Sequence, residues 1–369
     1  MTKNFISNLK WCKKCVMMST RPRITFDKNG ICNACQWTEK KKKINWKKRK
    51  EKLFKILDRY RNTKSDYNCI VPVSGGKDGS YIAYNLKHKY NMRPLCVTIT
   101  PPLELDIGKK NLKNFVSSGY DLITVDIDHD LMRKTNLIGF EKVGFPYFGW
   151  LVAIHTAVAR VASSFKIPLV FYAEDGEVEY GGTNEKENKQ LYNFDYQKKI
   201  YLENHYGILK KVINKYDGKY FFEYPKETKN IKLTHWSYYE NWDPYRNYLV
   251  AKKYCGLQEA EMANTGTFTN FAQNDQAMYT LHTYLMYLKF GFGRASQDAC
   301  IEIRRGAMDR DQAINLVNLY DGYFPDNYEI YLDYYKINKS KFNSILKKFT
   351  NKKLFTYKNN IVTKLFQIT

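Results

Sequence analysis

Two short runs in this sequence have the residue types and spacing of reactive or ligating sites. The first is Ser74-Gly75-Gly76-Lys77-Asp78-Gly79-Ser80. It follows Cys69-Ile70-Val71-Pro72-Val73, which reads as a buried central strand, with Pro72 arguing for its end. The stretch after it, Ser80 to Tyr90, reads as a helix. Glycines let successive backbone N–H groups turn inward around an oxyanion, and the N-terminus of the next helix adds partial positive charge. Lys77 is placed either to pair with phosphate or to point to solvent. Asp78 could orient the loop, meet Mg²⁺, or act only as an acid in the first helical turn. Ser80 could donate to phosphate or cap the helix. The run departs from G-x-x-x-x-G-K-[ST] and from G-x-G-x-x-G, which disfavours a Walker A ATPase and a dinucleotide fingerprint.

The second run is Cys12-x-x-Cys15 with Cys32-x-x-Cys35. Two close pairs, each wrapping one side of an ion, have the spacing of a closed four-thiolate zinc site, normally structural. Gly30 and Asn33 are fitting turn residues beside the second pair. The plainer alternative is reduced free thiols, and a redox role is disfavoured because no thioredoxin-like strand precedes either pair. Cys69, Cys96, Cys255 and Cys300 stand alone, unlike a secreted disulfide framework.

Other residues invite chemistry with less support from spacing. Glu174, Asp175, Glu177 and Glu179 follow Pro168-Leu169-Val170-Phe171-Tyr172, a predicted strand, and ligands gather at the carboxyl ends of strands in open α/β sheets. Glu174 and Asp175, nearest the strand end, are favoured for Mg²⁺ or a substrate hydroxyl over a solvated acidic loop. Arg294, Arg304 and Arg305 lie in a Gly-broken stretch and could fork onto a carboxylate or phosphate, or form surface ion pairs. His155 reads as a core histidine. Trp236, Tyr238, Tyr239, Trp242 and Tyr245 read as core aromatics rather than a sugar platform.

Positioning these groups requires an alternating α/β chain. Strands are predicted at Leu95–Ile99 and Leu122–Val125, with helices at Asn111–Ser118 and Trp150–Phe165 and a possible fifth strand at Ile231–His235. This pattern implies a parallel sheet with right-handed crossovers. The expected organisation is a cysteine module over 1–45, an α/β core over 46–250 and a mainly helical region over 251–369. Residues 183–230, polar and poorly periodic, read as an insertion or lid. Asp309-x-x-Gln312 reads as a capping box.

Composition sets limits. The chain has 369 residues and a formal net charge of +23, which suits an anionic partner but also fits a general bias towards Lys, Asn, Ile and Tyr. The block Lys40 to Lys43 and Lys47 to Lys50 reads as a solvated linker and helix face. No apolar stretch is long enough to span a membrane, and Met1-Thr2-Lys3-Asn4-Phe5 lacks a secretory apolar run, so a cytoplasmic location is the default expectation.

The loop resembles the SGGxDS loop of the ATP-pyrophosphatase (PP-loop) superfamily, with Gly79 inserted before the serine. That resemblance implies a nucleotide-binding α/β fold, ATP and Mg²⁺, cleavage of ATP to AMP and pyrophosphate, and pyrophosphate resting on the backbone of Ser74 to Gly76. Read in order, further stretches resemble the bacterial N-acetyl sugar amidotransferase family of surface-polysaccharide and pseudaminic acid biosynthesis. They are Trp11-Cys12-Lys13-Lys14-Cys15-Val16-Met17, Thr20-Arg21-Pro22, Gly30-Ile31-Cys32, Tyr180-Gly181-Gly182, Trp242-Asp243-Pro244, Lys289 to Arg294, and Ile303 to Gly306. The family implies conversion of an acetamido group to an acetamidino group on an anionic N-acetylated sugar. No Gly-x-Cys-x-Gly elbow, no His-x-Glu pair and no Met-Cys start is present, so a separate glutaminase partner is the expected source of ammonia. The competing reading is a tRNA-thiolating PP-loop enzyme. It accounts for the basic charge and the metal module, but the downstream cysteines are single and no aromatic–basic RNA-binding segment stands out.

Overall fold

The computed structural model describes residues 2–62, 65–202, 206–358 and 361–368. Met1, part of the expectation about the N-terminus, and residues 203–205 of the expected insertion lie outside them. Five strands form one parallel sheet: β1 (Cys69–Pro72), β2 (Pro94–Ile99), β3 (Leu122–Val125), β4 (Leu169–Tyr172) and β5 (Lys232–His235). Their spatial order is β3-β2-β1-β4-β5. The chain winds outward from β1 through β2 to β3, then returns to the other side of β1 with β4. The carboxyl ends of β1 and β4 therefore flank the topological switch point, where ligands bind in this class of sheet.

The central strands β1, β2 and β4 are mostly apolar and buried because helices cover both faces of the sheet. Alternate residues feed different cores: Ile70 faces one cluster, while Cys69 and Val71 face the other. A short α1 (Thr2–Ser7) opens the chain. α2 (Asn33–Lys41) belongs to the cysteine module, and α3 (Trp46–Arg61) buries Leu53, Ile56 and Leu57 against the second face. α4 (Lys77–Tyr84) runs into a π-helical turn at Asn85–Lys89, and α5 (Asp106–Ser117) follows β2. α6 (His129–Val143) was not anticipated in the sequence. It lacks a clean apolar stripe, but Asp128 caps it by accepting from Leu131 N at 2.7 Å. α7 (Phe148–Ser164) is apolar almost all round and lies buried across the first face.

The segment read as an insertion or lid is a packed part of the core. After α8 (Gly176–Tyr180) come α9 (Phe194–Gln197), a π-helical turn at Lys198–Leu202, α10 (Tyr206–Ile213) and a 3₁₀ turn at Asp217–Phe222. Phe194, Leu202, Leu209, Ile213 and Phe222 are buried in the largest cluster, and α10 packs on α6. Scattered anchors on short, irregular turns give no period to read, which is why the stretch looks like a loop in the sequence.

The remaining chain is mainly helical, as expected: α11 (Pro244–Cys255), α12 (Met278–Phe290), α13 (Arg294–Arg305), α14 (Arg310–Tyr320), α15 (Glu329–Tyr335) and α16 (Lys339–Phe349). A small hairpin, β6 (Phe355–Lys358) with β7 (Ile361–Lys364), closes it. The capping box at Asp309 and Gln312 starts α14. The cysteine module does not stand apart: Cys12, Cys15, Met17 and Met18 share one core with Ala299, Cys300, Ala313, Val317, Leu354 and Phe366. No helix among the described residues is long and apolar enough to cross a membrane.

Candidate active site

The sharp turn after β1 depends on two glycines. Gly75 has φ +77°, and a Cβ there would sit 2.5 Å from Leu112 N on α5, so only a residue without a side chain lets α5 press on the loop. Gly79 stands in the first turn of α4, where a Cβ would come within 2.8 Å of Pro72 O and 3.1 Å of Val73 Cα. The inserted glycine thus lets α4 start tight against the end of β1. Gly76 precedes α4 with no side-chain cap, leaving the first-turn N–H groups for another acceptor.

The loop opens into a cavity of about 420 Å³. Ser74, Gly76, Lys77, Asp78 and Gly79 line one side. Ser80 does not: one position round the helix from Gly79, it is fully buried with its hydroxyl unpartnered. Lys77 pairs with Asp78, whose other oxygen accepts from Asn247 Nδ2 at 3.0 Å. Glu174, from the end of β4, also lines the cavity and accepts from Tyr180 OH at 2.9 Å. Burial and the neighbouring Asp78 carboxylate raise the Glu174 pKa. Two carboxylates that repel each other beside a phosphate loop offer the hard oxygen ligands that suit Mg²⁺.

The acids after Glu174 have other partners. Asp175 is turned to β5: its Oδ1 caps α8 by accepting from Glu177 N at 3.1 Å, and its Oδ2 lies 3.9 Å from His235 Nδ1. Burial pushes its pKa up to about 7. Glu177 forks onto Arg23 at 2.5 and 2.7 Å, and Glu179 accepts from Lys41 Nζ at 2.7 Å and Trp37 Nε1 at 2.8 Å. These two acids dock the cysteine module onto the sheet. Gly182 permits it, since a Cβ there would lie 2.0 Å from Glu177 Oε2.

The opposite wall comes from the C-terminal helices. Arg294 lines it and is held by Asp298 at 2.8 Å. Burial acts to lower its pKa, but Asp298 more than offsets this. Arg304 lines the cavity too, whereas Arg305 points outside it, bonding Glu302 at 2.7 Å and stacking on Tyr245. Arg21, from the cysteine module, also reaches the cavity; it stands within a quoted family stretch, but its neighbours carry no signal of that role. Trp236, Tyr238, Tyr239 and Trp242 are buried in the second core, and Tyr245 lines the cavity. His155 is buried in α7, where burial lowers its pKa to about 4.

The four module cysteines are fully buried with their sulfurs within 4.8 Å of one another. Cys12 Sγ to Cys35 Sγ is 3.9 Å and Cys15 Sγ to Cys32 Sγ is 3.8 Å. Tetrahedral zinc at about 2.3 Å from each sulfur sets neighbouring sulfurs about 3.8 Å apart, so the donors fit. Cys12 Sγ also accepts backbone N–H bonds from Lys14, Cys15 and Cys32 at 3.3–3.4 Å, which favours a thiolate. Cys69, Cys96, Cys255 and Cys300 are buried in the cores, and none lines the cavity.

A glycine-rich loop thus stands at the switch point of a five-stranded parallel α/β sheet, in a chain that also carries a four-cysteine metal-type cluster. Residues 265–368 match the family model described as LPS biosynthesis protein WbpG-like, C-terminal domain, so the helical region that carries Arg294 and Arg304 is similar to that domain. Over 89 residues the chain is 35% identical to the uncharacterized protein MJ1599 of Methanocaldococcus jannaschii, covering 24% of this chain and only about a third of that protein (32%). Among solved structures it is similar to the U34-tRNA thiolase NcsA of Methanococcus maripaludis, at 14% identity and a TM-score of 0.31. The match covers 80% of this chain and 86% of that one.

Proposed function

We propose that the chain is an ATP-dependent, AMP-forming amidotransferase that converts the acetamido group of an anionic N-acetylated sugar to an acetamidino group in surface-polysaccharide biosynthesis. The observation that carries this is one cavity with a phosphate loop on one wall and the WbpG-like domain, bearing arginines, on the other. Charge must develop on two leaving groups. The acetamido oxygen attacks the α-phosphorus of ATP; a P–O bond forms and pyrophosphate departs. Ammonia then adds to the O-adenylated imidate carbon, AMP leaves with the C–O bond pair, and one proton is released.

Each residue's part follows from its position. The backbone of Ser74 to Gly76 and the first turn of α4 receive the departing pyrophosphate. Lys77 neutralises phosphate oxygens once an anion competes for its contact with Asp78. Asp78 and Glu174 would hold Mg²⁺, which supplies further charge neutralisation. The tetrathiolate would hold a structural zinc ion outside the chemistry. Ammonia would come from a separate glutaminase, since the lone cysteines are packed in cores and away from the cavity.

The test is to incubate the purified chain with ATP, Mg²⁺, ammonium and a panel of free and nucleotide-linked N-acetylated sugars, measuring pyrophosphate release beside product mass. Sugar-dependent pyrophosphate and a product in which NH replaces O are expected. Pyrophosphate release that ignores every sugar but responds to bulk tRNA would replace this reading with RNA modification.

A further inference from the structure

Most cations lining the cavity already have an anion. Lys77 has Asp78, and Arg294 has Asp298, whose second oxygen is held by Thr267 and Thr269 at 2.6 and 3.1 Å. Arg21 and Arg304 differ. Both line the cavity, and neither guanidinium donates a hydrogen bond to, or forms an ion pair with, a described residue. Arg21 Nε is buried and unpartnered. Burial, then the positive charge of Arg304, depresses the Arg21 pKa. Two half-buried like charges without a hydrogen-bonded acceptor are costly unless something anionic sits between them.

Their place separates them from the phosphate loop. Arg21 follows Met17 and Met18 of the cysteine module, and Arg304 lies at the end of α13, whose Ala299 and Cys300 share one core with those methionines and the module cysteines. The pair therefore stands at the end of the cavity next to the cysteine module, away from where pyrophosphate would rest. Arg304 also borders an adjoining cavity of about 270 Å³ lined by Lys41, Lys42 and Trp46, which gives an anion a route in from the module side.

We propose that Arg21 and Arg304 form a clamp for the anionic group of the acceptor substrate, a carboxylate or a phosphate, and that the cysteine module sets substrate selectivity by carrying one jaw of it. This rests on the acceptor-sugar reading for the identity of the ligand, but the clamp itself is read from the charge, position and unpartnered donors of the two arginines. Arg21 lies six residues beyond Cys15, and the turn between them is fixed by Cys12 N bonding Met17 O at 2.9 Å and Arg21 N bonding Met18 O at 3.1 Å. Loss of the module's order would misplace that jaw while leaving the loop after β1 in place.

The experiment measures binding to the full metal-loaded chain, with a non-hydrolysable ATP analogue present, of three probes: N-acetylneuraminate (carboxylate), UDP-N-acetylglucosamine (pyrophosphate) and neutral N-acetylglucosamine. At least one anionic probe should bind tenfold or more tighter than the neutral one. Arg21→Gln and Arg304→Gln should each abolish that preference, Arg304→Lys should restore part of it, and affinity for the ATP analogue should change less than threefold. Which anionic probe responds distinguishes a free acid from a nucleotide-linked one. If the wild type binds all three alike, or both Gln variants keep the preference, the clamp is refuted. If the Gln variants lose metal and the wild type shows no preference, the arginines are only counter-charges to the thiolates. A clamp that works while no probe or sugar is ever amidinated would leave this inference standing and remove the amidotransferase reading. Amidination untouched by either variant would do the reverse.

Discussion

Replacing Glu179 by Gln tests whether the cysteine module is held on the sheet by a buried ion pair or whether this acid serves the reaction. The Lys41 and Glu179 side chains are only 10% and 6% exposed, and their charged atoms meet at 2.7 Å. Gln can still accept the Trp37 indole N–H, so the substitution isolates the charge. It leaves the Lys41 ammonium buried without its carboxylate, a loss of about 3–5 kcal/mol by comparison with other broken buried pairs. Removing both charges with Lys41→Met and Glu179→Gln should recover most of that, because the desolvation cost disappears with the charges. Urea unfolding followed by tryptophan fluorescence, run as a double-mutant cycle, reads the coupling directly. A single variant within about 1 kcal/mol of wild type would refute the docking role, particularly if pyrophosphate release fell instead. That result would return Glu179 to the set of acids that could serve Mg²⁺ or substrate.

Three other perturbations have defined outcomes. Gly75→Ala combines a left-handed φ with a 2.5 Å approach to the α5 backbone; the φ alone costs about 1–2 kcal/mol, so the variant should unfold earlier and release little pyrophosphate. Asp175 has its pKa raised to about 7 in the folded chain, above its ordinary value, so the fold is penalised above pH 7 and the penalty fades as pH falls towards 4. Asp175→Asn, which can still cap α8, should therefore raise stability at pH 8 by up to about 4 kcal/mol and give little gain at pH 4, as read from thermal unfolding across pH. Metal analysis of the purified chain should find one zinc per chain, and Cys12→Ser should lose it and lower the urea midpoint; iron with labile sulfide would correct the zinc assignment.

The sheet was legible because both its faces are covered. Cys69 to Val73, Leu95 to Ile99 and Leu122 to Val125 are short, mostly apolar runs between turn residues, and each forms a strand within a residue or two. The loop and the paired cysteines were legible because their chemistry needs residues close in sequence. What failed were features made by distant partners. Glu177 and Glu179 look like the neighbours of Glu174, yet helix α8 turns them towards Arg23, Lys41 and Trp37, more than 130 positions earlier. Arg305 follows Arg304 directly, but helical rotation sends one to Glu302 and Tyr245 and the other into the cavity. Arg21 sat within a quoted run with no sign of its neighbour Arg304, because only the shared core of Cys12, Met18, Ala299 and Cys300 brings them together.

That shared core explains why a metal module belongs in such a protein at all. The sheet and its loop supply a complete phosphate-binding half, fixed by Gly75 and Gly79 against β1 and α5. They supply nothing across the cavity, where the second substrate must sit. That side is lined by α13, by residues 269–275 and by Met17 and Arg21 of the N-terminal segment, which has little regular structure to stiffen it. Tying the N-terminal segment at Cys12, Cys15, Cys32 and Cys35 fixes its irregular backbone from within, and the Glu177–Arg23 and Glu179–Lys41 contacts fix it from without. Rigid presentation of Arg21 follows from both together. On the proposed function, the cysteine cluster would thereby influence the acceptor end of the reaction without touching a reacting atom. On this arrangement, weakening either set of contacts should raise the KM for the acceptor before it changes the KM for ATP.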